Sequence, residues 1–119
     1  MLQLVNTGHK SLTDYASIVS RGLMEEIRRL AEPIRGLRVL HLSATAFGGG
    51  VAEIQYTLVP LMRDAGLDVE WRIIQGQEEF FNVTKAIHDE LQGDRRGLTQ
   101  DDREIFSSYN QLNAAQLDD

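Results

Sequence analysis

Cysteine is absent from the 119 residues. Disulfides and thiolate metal sites are thereby excluded, and the redox compartment is left without a marker. Basic residues are in deficit: 12 Lys and Arg against 18 Asp and Glu give a net charge of -6. That is the wrong sign for gripping a phosphate backbone, so nucleic acid is not an expected partner. No apolar run approaches the roughly 20 residues that a bilayer-spanning helix needs. Met1 to Lys10 has neither the charged start nor the apolar stretch of a secretory signal, so a cytoplasmic location with no membrane partner is expected. No His or carboxylate cluster has metal-ligand spacing, and Asp101, Asp102, Glu104, Asp118 and Asp119 show no paired arrangement, so no metal is expected.

What is present is an ordinary globular balance, 42% hydrophobic and 25% charged, which separates the chain from disordered and membrane classes. The length suits one domain with a modest core. Leu2, Leu4 and Val5 alternate as a short edge strand or ordered arm that Gly8 breaks. Thr13 is a candidate N-cap for an amphipathic helix carrying Leu23, Ile27 and Leu30, with Glu25 and Glu26 preceding Arg28 and Arg29. Pro33 and Gly36 must stop that helix. Leu37 to Leu42 then reads as a core strand covered on both faces.

Ser43 to Phe47 forms a loop, Gly48, Gly49 and Gly50 follow, and Val51 opens a helix with Ile54, Leu58, Leu61 and Met62 on one face. Pro60 should kink this helix and Gly66 should end it. Val69 to Gln75 is a second strand, parallel to the first in a β-α-β unit. Phe80, Val83, Ile87 and Leu91 mark another helix, Gly93 to Gly97 a surface turn, and Thr99 with Asp102 a capping box for a final helix towards Leu117. The fold class is α/β with few strands. Residues 1–36 form an arm and helix, and 37–119 a partial Rossmann-like domain. Two clear strands are too few for a self-sufficient parallel sheet, so the chain reads as unfinished and its open sheet edge invites a homo-oligomer.

Three glycines between strand and helix permit positive φ and close approach of a ligand, while the helix start offers free N–H groups and a positive dipole end. A phosphate could sit there, and a close-packed turn is the alternative. No Lys-Ser/Thr follows the glycines and the spacing is not that of dinucleotide binding, so neither a P-loop nor a hydride-transfer site is indicated. His41, inside an apolar strand, reads as a satisfied buried histidine, and His88 beside Asp89 and Glu90 as a surface one. Phe80 and Phe81 read as core. Glu53 is placed in the first turn of its helix, where the dipole favours a carboxylate.

The stretch His41-Leu42-Ser43-Ala44-Thr45-Ala46-Phe47-Gly48-Gly49-Gly50-Val51-Ala52-Glu53-Ile54 resembles the start of trehalose-synthase-type glycosyltransferases and the related trehalose phosphorylases. The likeness continues through Leu58-Val59-Pro60-Leu61, Gly66 to Trp71, Glu79 to Lys85 and His88, and reaches Asn110 and Asn113. It implies a GT-B enzyme of two Rossmann-like domains in a three-layer α/β/α arrangement. Such an enzyme moves glucose from a nucleoside diphosphate glucose to glucose with retention, forming trehalose. By that resemblance Gly48, Gly49 and Gly50 would face the donor diphosphate, and Glu53, Thr84 and Lys85 the acceptor sugar, although Lys85 could simply be solvated. No cofactor is implied beyond the donor substrate, and no catalytic residue is assigned within this chain. By the same resemblance, the basic residues and the histidine of the family's donor site would belong to a C-terminal domain lying beyond these residues. Two further readings stand beside this one: a sugar- or phosphate-binding remnant without turnover, and a structural or assembly module.

Overall fold

A computed structural model describes residues 1–117; Asp118 and Asp119, whose pairing the sequence leaves open, lie outside the described residues. The fold is α/β, with four α-helices and a three-stranded mixed sheet among the described residues. Contacts divide it into two compact units, one covering Gln3–Ile73 and the other Ile74 onward with Met1–Leu2.

In the first unit the strands are β1 (Gln3–Leu4), β2 (Arg38–Ser43) and β3 (Asp68–Ile73), in the order β1-β3-β2. β2 and β3 are parallel, with Val39 opposite Val69, His41 opposite Trp71 and Ser43 opposite Ile73. Helix α2 (Gly49–Asp64) connects them, so the expected β-α-β unit is present. β1 adds antiparallel to β3, and Val5 N–H extends that pairing to the Trp71 carbonyl at 2.8 Å. The arm is thus an edge strand, and Gly8 beyond it takes a φ of 68°.

Alternation in β2 and β3 sends Val39, His41, Ser43, Val69, Trp71 and Ile73 to one face. There Val69 and Trp71 form the core with Val5, Ala46, Ala52 and Val59, against which Tyr56, Met62 and Leu67 pack. Val59 and Trp71 are wholly inaccessible. Each side chain of that size gains about 1.5–3 kcal/mol on burial. β2 departs from the expectation of two covered faces: Leu40 and Leu42 are each 45% exposed. They point to the face opposite Val39, and Val39 is the β2 residue that packs against the core.

The amphipathic helix also begins later than expected. Thr13 lies in a 3₁₀ turn, Leu12–Tyr15, capped by Ser11, and α1 (Arg21–Ala31) is capped by Ser20, whose hydroxyl accepts from Leu23 N–H. Met24 and Ala31 are its buried residues, whereas Leu23 and Leu30 remain about half exposed. A 3₁₀ turn, Glu32–Ile34, carries Pro33 as the chain leaves the helix, and Gly36 turns at a φ of 77°. Pro60 lies inside α2, and Gly66, at a φ of 106°, follows the helix end.

The second unit holds α3 (Glu78–Leu91) and α4 (Gln100–Ala115). Phe80, Val83 and Ala86 are the buried face of α3, while Leu91 is 80% exposed. Phe80 packs edge-on to Phe81 and lies against Phe106 and Tyr109 of α4, at centroid distances of 5.4, 6.2 and 5.0 Å. Phe80 is core, as expected, whereas Phe81 is only partly buried and Phe106 is 39% exposed. Asn113 of α4 is also buried, 6% exposed. Its Oδ1 accepts from Gln75 N–H at 2.6 Å, and its Nδ2 donates to the carbonyls of Gln75 and Tyr109 at 2.8 and 2.7 Å. The side chain therefore pairs with Gln75 as a neighbouring strand would.

The capping box at α4 is complete: Asp102 N–H donates to Thr99 Oγ1 at 3.1 Å, and Thr99 N–H donates to Asp102 Oδ2 at 2.9 Å. The Thr99 backbone first, then its hydroxyl, hold the Asp102 carboxyl below its ordinary pKa. A carboxylate depressed in the folded state stabilises above its unfolded pKa and loses that contribution as pH falls through the folded value. Thr99→Ala is expected to cost about 1 kcal/mol. Amide exchange at the start of α4 checks this: wild-type protection should decline only below the ordinary carboxylate pKa of about 3.9. The variant, which keeps the residue-99 N–H on the Asp102 carboxylate, should start from lower protection and show a smaller decline.

Candidate functional site

The glycine loop follows the carboxyl end of parallel strand β2 and opens directly into α2, the position at which open α/β sheets receive ligands. Gly48 is the N-cap, at φ 71° and ψ 151°, and Gly49 follows at φ 76°. Two successive left-handed residues explain the glycines, since a side chain at either would be strained. Gly49 and Gly50 are the first two helical residues, so α2 starts two positions before Val51, where the sequence placed it. Glycine is a poor helix former, which hides a helix start from periodicity. Glu53 consequently falls in the second turn rather than the first, and is exposed.

No side chain caps α2, so its first amides lack intrahelical partners and face outward with the dipole behind them. A Cβ built on Gly48, Gly49 or Gly50 would meet nothing within 4 Å, so the space in front is open. Neither Lys nor Arg occurs between Arg38 and Arg63. The segment between them thus presents backbone amides at the loop without a Lys or Arg side chain of its own.

The loop itself is tied down from the core side. Trp71 Nε1–H donates to Ser43 Oγ at 2.8 Å, and Ser43 Oγ–H donates to the Thr45 carbonyl at 2.9 Å. Thr45 Oγ1 accepts from Phe47 N–H at 3.0 Å. Ala46, 4% exposed, points into the core, while Phe47 is 80% exposed. Sequence reasoning passed over Ser43 and Thr45. Small hydroxyl residues before a glycine run are the available signal, because such side chains bond to nearby backbone.

His41 departs from the expectation of a satisfied buried histidine. It is half-buried, with Nδ1 3.0 Å from Gln55 Nε2 of α2. Among the described residues, its Nε2 and Gln55 Oε1 are buried atoms without a hydrogen-bond partner.

Thr84 and Lys85 lie on α3, in the second unit. The Thr84 hydroxyl donates to the Phe81 carbonyl at 3.0 Å, and Lys85 Nζ reaches Asp89 Oδ2 at 3.0 Å. Lys85, then His88, hold the Asp89 carboxyl below its ordinary pKa. His88 Nδ1, 3.4 Å from Asp89 Oδ1, is a surface group, as expected. Lys85 is 74% exposed, so the pair contributes little to stability, and two of its three donor protons stay available.

The family model for the trehalose synthase N-terminal domain matches residues 41–119. A trehalose synthase of Rubrobacter xylanophilus is 60% identical over 98% of this chain and 28% of its own length. One of Thermococcus litoralis is 44% identical over 92% of this chain and 27% of its own length. A trehalose phosphorylase of Pleurotus pulmonarius is 31% identical over 82% of this chain and 14% of its own length. The chain thus spans under a third of the length of these curated relatives.

Proposed function

The chain belongs to the family of trehalose synthase N-terminal domains, and on that premise we propose that it forms the acceptor-side part of a GT-B transferase. That enzyme would move glucose from a nucleoside diphosphate glucose to glucose with retention, making trehalose. The observation that carries the reading is the loop. Gly48 and Gly49 hold left-handed conformations at the uncapped start of a 16-residue helix, with open space ahead.

In this reading the amides of Gly48 to Gly50 meet the donor diphosphate, whose charge grows as the glycosidic bond to it breaks. The helix dipole favours that charge. Basic side chains to complete the site would come from a C-terminal domain, since this segment supplies none between Arg38 and Arg63. Glu53, Thr84 and Lys85 are the proposed contacts for acceptor hydroxyls. The fold would extend to a three-layer Rossmann-like domain, with further sheet or a second copy seated on the open β2 edge. Nothing in the reading requires a cofactor beyond the donor, and it places the reaction in the cytoplasm.

Calorimetric titration of the 119-residue chain with UDP-glucose and ADP-glucose tests it. A half-site is expected to bind one of them with a Kd near 1 mM, about -4 kcal/mol. Gly49→Val should abolish that binding. The new Cβ meets open space, so the substitution acts through its backbone angle, straining the loop by about 1–3 kcal/mol. Silence of the wild-type chain up to about 10 mM, or equal binding by the variant, would remove the loop from the donor site.

A further inference from the structure

A loop built on consecutive glycines has no side chains of its own to fix it, so something outside the glycines must. We propose that Trp71, acting through Ser43, is the positioning residue for the glycine loop. It would hold Phe47 and Gly48 in the conformation that opens α2.

Trp71 can act as the fixed point because it is held on every side. It is wholly inaccessible, its ring meets Tyr56 edge-on at 5.0 Å and 80°, and its backbone is paired with both neighbouring strands. A buried indole N–H is costly to leave unpaired, and Ser43 Oγ accepts it at 2.8 Å. A hydroxyl that accepts one bond turns its own proton elsewhere, here to the Thr45 carbonyl at 2.9 Å. Thr45 in turn receives Phe47 N–H on its Oγ1 at 3.0 Å and returns a bond to the Phe47 carbonyl at 3.1 Å. Three bonds lead from the core to the residue before Gly48, the second ending on the Thr45 carbonyl and the third on the Thr45 hydroxyl. Ser43 is the one link that both accepts from the core and donates to the loop. Its replacement should free the loop and leave the core packing in place.

The consequence for ligand binding rests on the diphosphate reading; the hold on the loop does not. Amide exchange by NMR of the full chain separates the two. Ser43→Ala is expected to raise Phe47 amide exchange at least about tenfold, to move the Gly48 to Val51 signals and the indole N–H signal, and to leave α1 unchanged. Ser43→Thr, which keeps the hydroxyl, should retain wild-type exchange. Thr45→Val, at an exposed position, should loosen Phe47 while the indole signal stays. Wild-type exchange at Phe47 in Ser43→Ala would overturn the proposal, as would a moved indole signal in Thr45→Val with Phe47 unaffected. Titration with the nucleotide sugar then bears on binding alone. If the wild-type chain binds and Ser43→Ala binds equally despite a loosened loop, positioning for binding is overturned. If the wild-type chain does not bind, the diphosphate reading fails while the exchange result still decides the relay.

Discussion

Trp71→Ala is expected to destabilise the Gln3–Ile73 unit by about 3–5 kcal/mol, the range for emptying a large aromatic from a packed core. Marginal folds of this size hold about 5–15 kcal/mol in total, so much of the population should unfold. Three losses combine: apolar area at a site with no exposure, the edge-on contact with Tyr56, and the donor that orients Ser43. Trp71→Phe should cost less, because it keeps most of the ring volume and forfeits mainly the hydrogen bond. Urea unfolding followed by circular dichroism separates the two variants. A cost under about 1 kcal/mol for Trp71→Ala would mean that the core closes over the gap.

Asn113→Leu should have the second-largest effect, about 2–3 kcal/mol, because it strands the polar groups that the amide now satisfies. Leucine matches the branching but is bulkier, so overpacking adds to the loss. The Gln75 N–H and carbonyl both lose partners at 2.6 and 2.8 Å. Asn113→Asp is a sharper probe. It keeps the acceptor for Gln75 N–H but turns an oxygen towards two carbonyls. Hydrogen exchange at Gln75 and the first turn of α3 should rise in both variants, and unaltered protection there would discard the strand-mimic role.

Much of this architecture was legible, and the exceptions have identifiable causes. The β2-α2-β3 unit, the Phe80 face, the Gly66 stop and the Thr99–Asp102 box all follow from local signals: apolar period, glycine and capping chemistry. The start of α1 was misplaced because Ser11, Thr13 and Ser20 can all cap, and only the structure selects Ser20 for the helix. Leu40 and Leu42 read as core because an apolar run does not reveal whether both faces of a strand are covered. Gly48 to Gly50 stood out as a loop, yet the helix inside it did not, since glycine carries no helix signal. The Ser43 relay and the Asn113 clamp span 28 and 38 positions of sequence. No window-based reading brings such pairs together.

The chain contains one tryptophan, and that indole is both sealed from water and hydrogen-bonded at the base of the glycine loop. Its emission therefore reports on one place in the molecule. A dry indole emits towards the blue, and loosening of Ser43 or entry of water beside it would shift the band to the red. Loosening of the loop and opening of the core would then be read in one cuvette, without a label, by an optical probe that the sequence itself supplies.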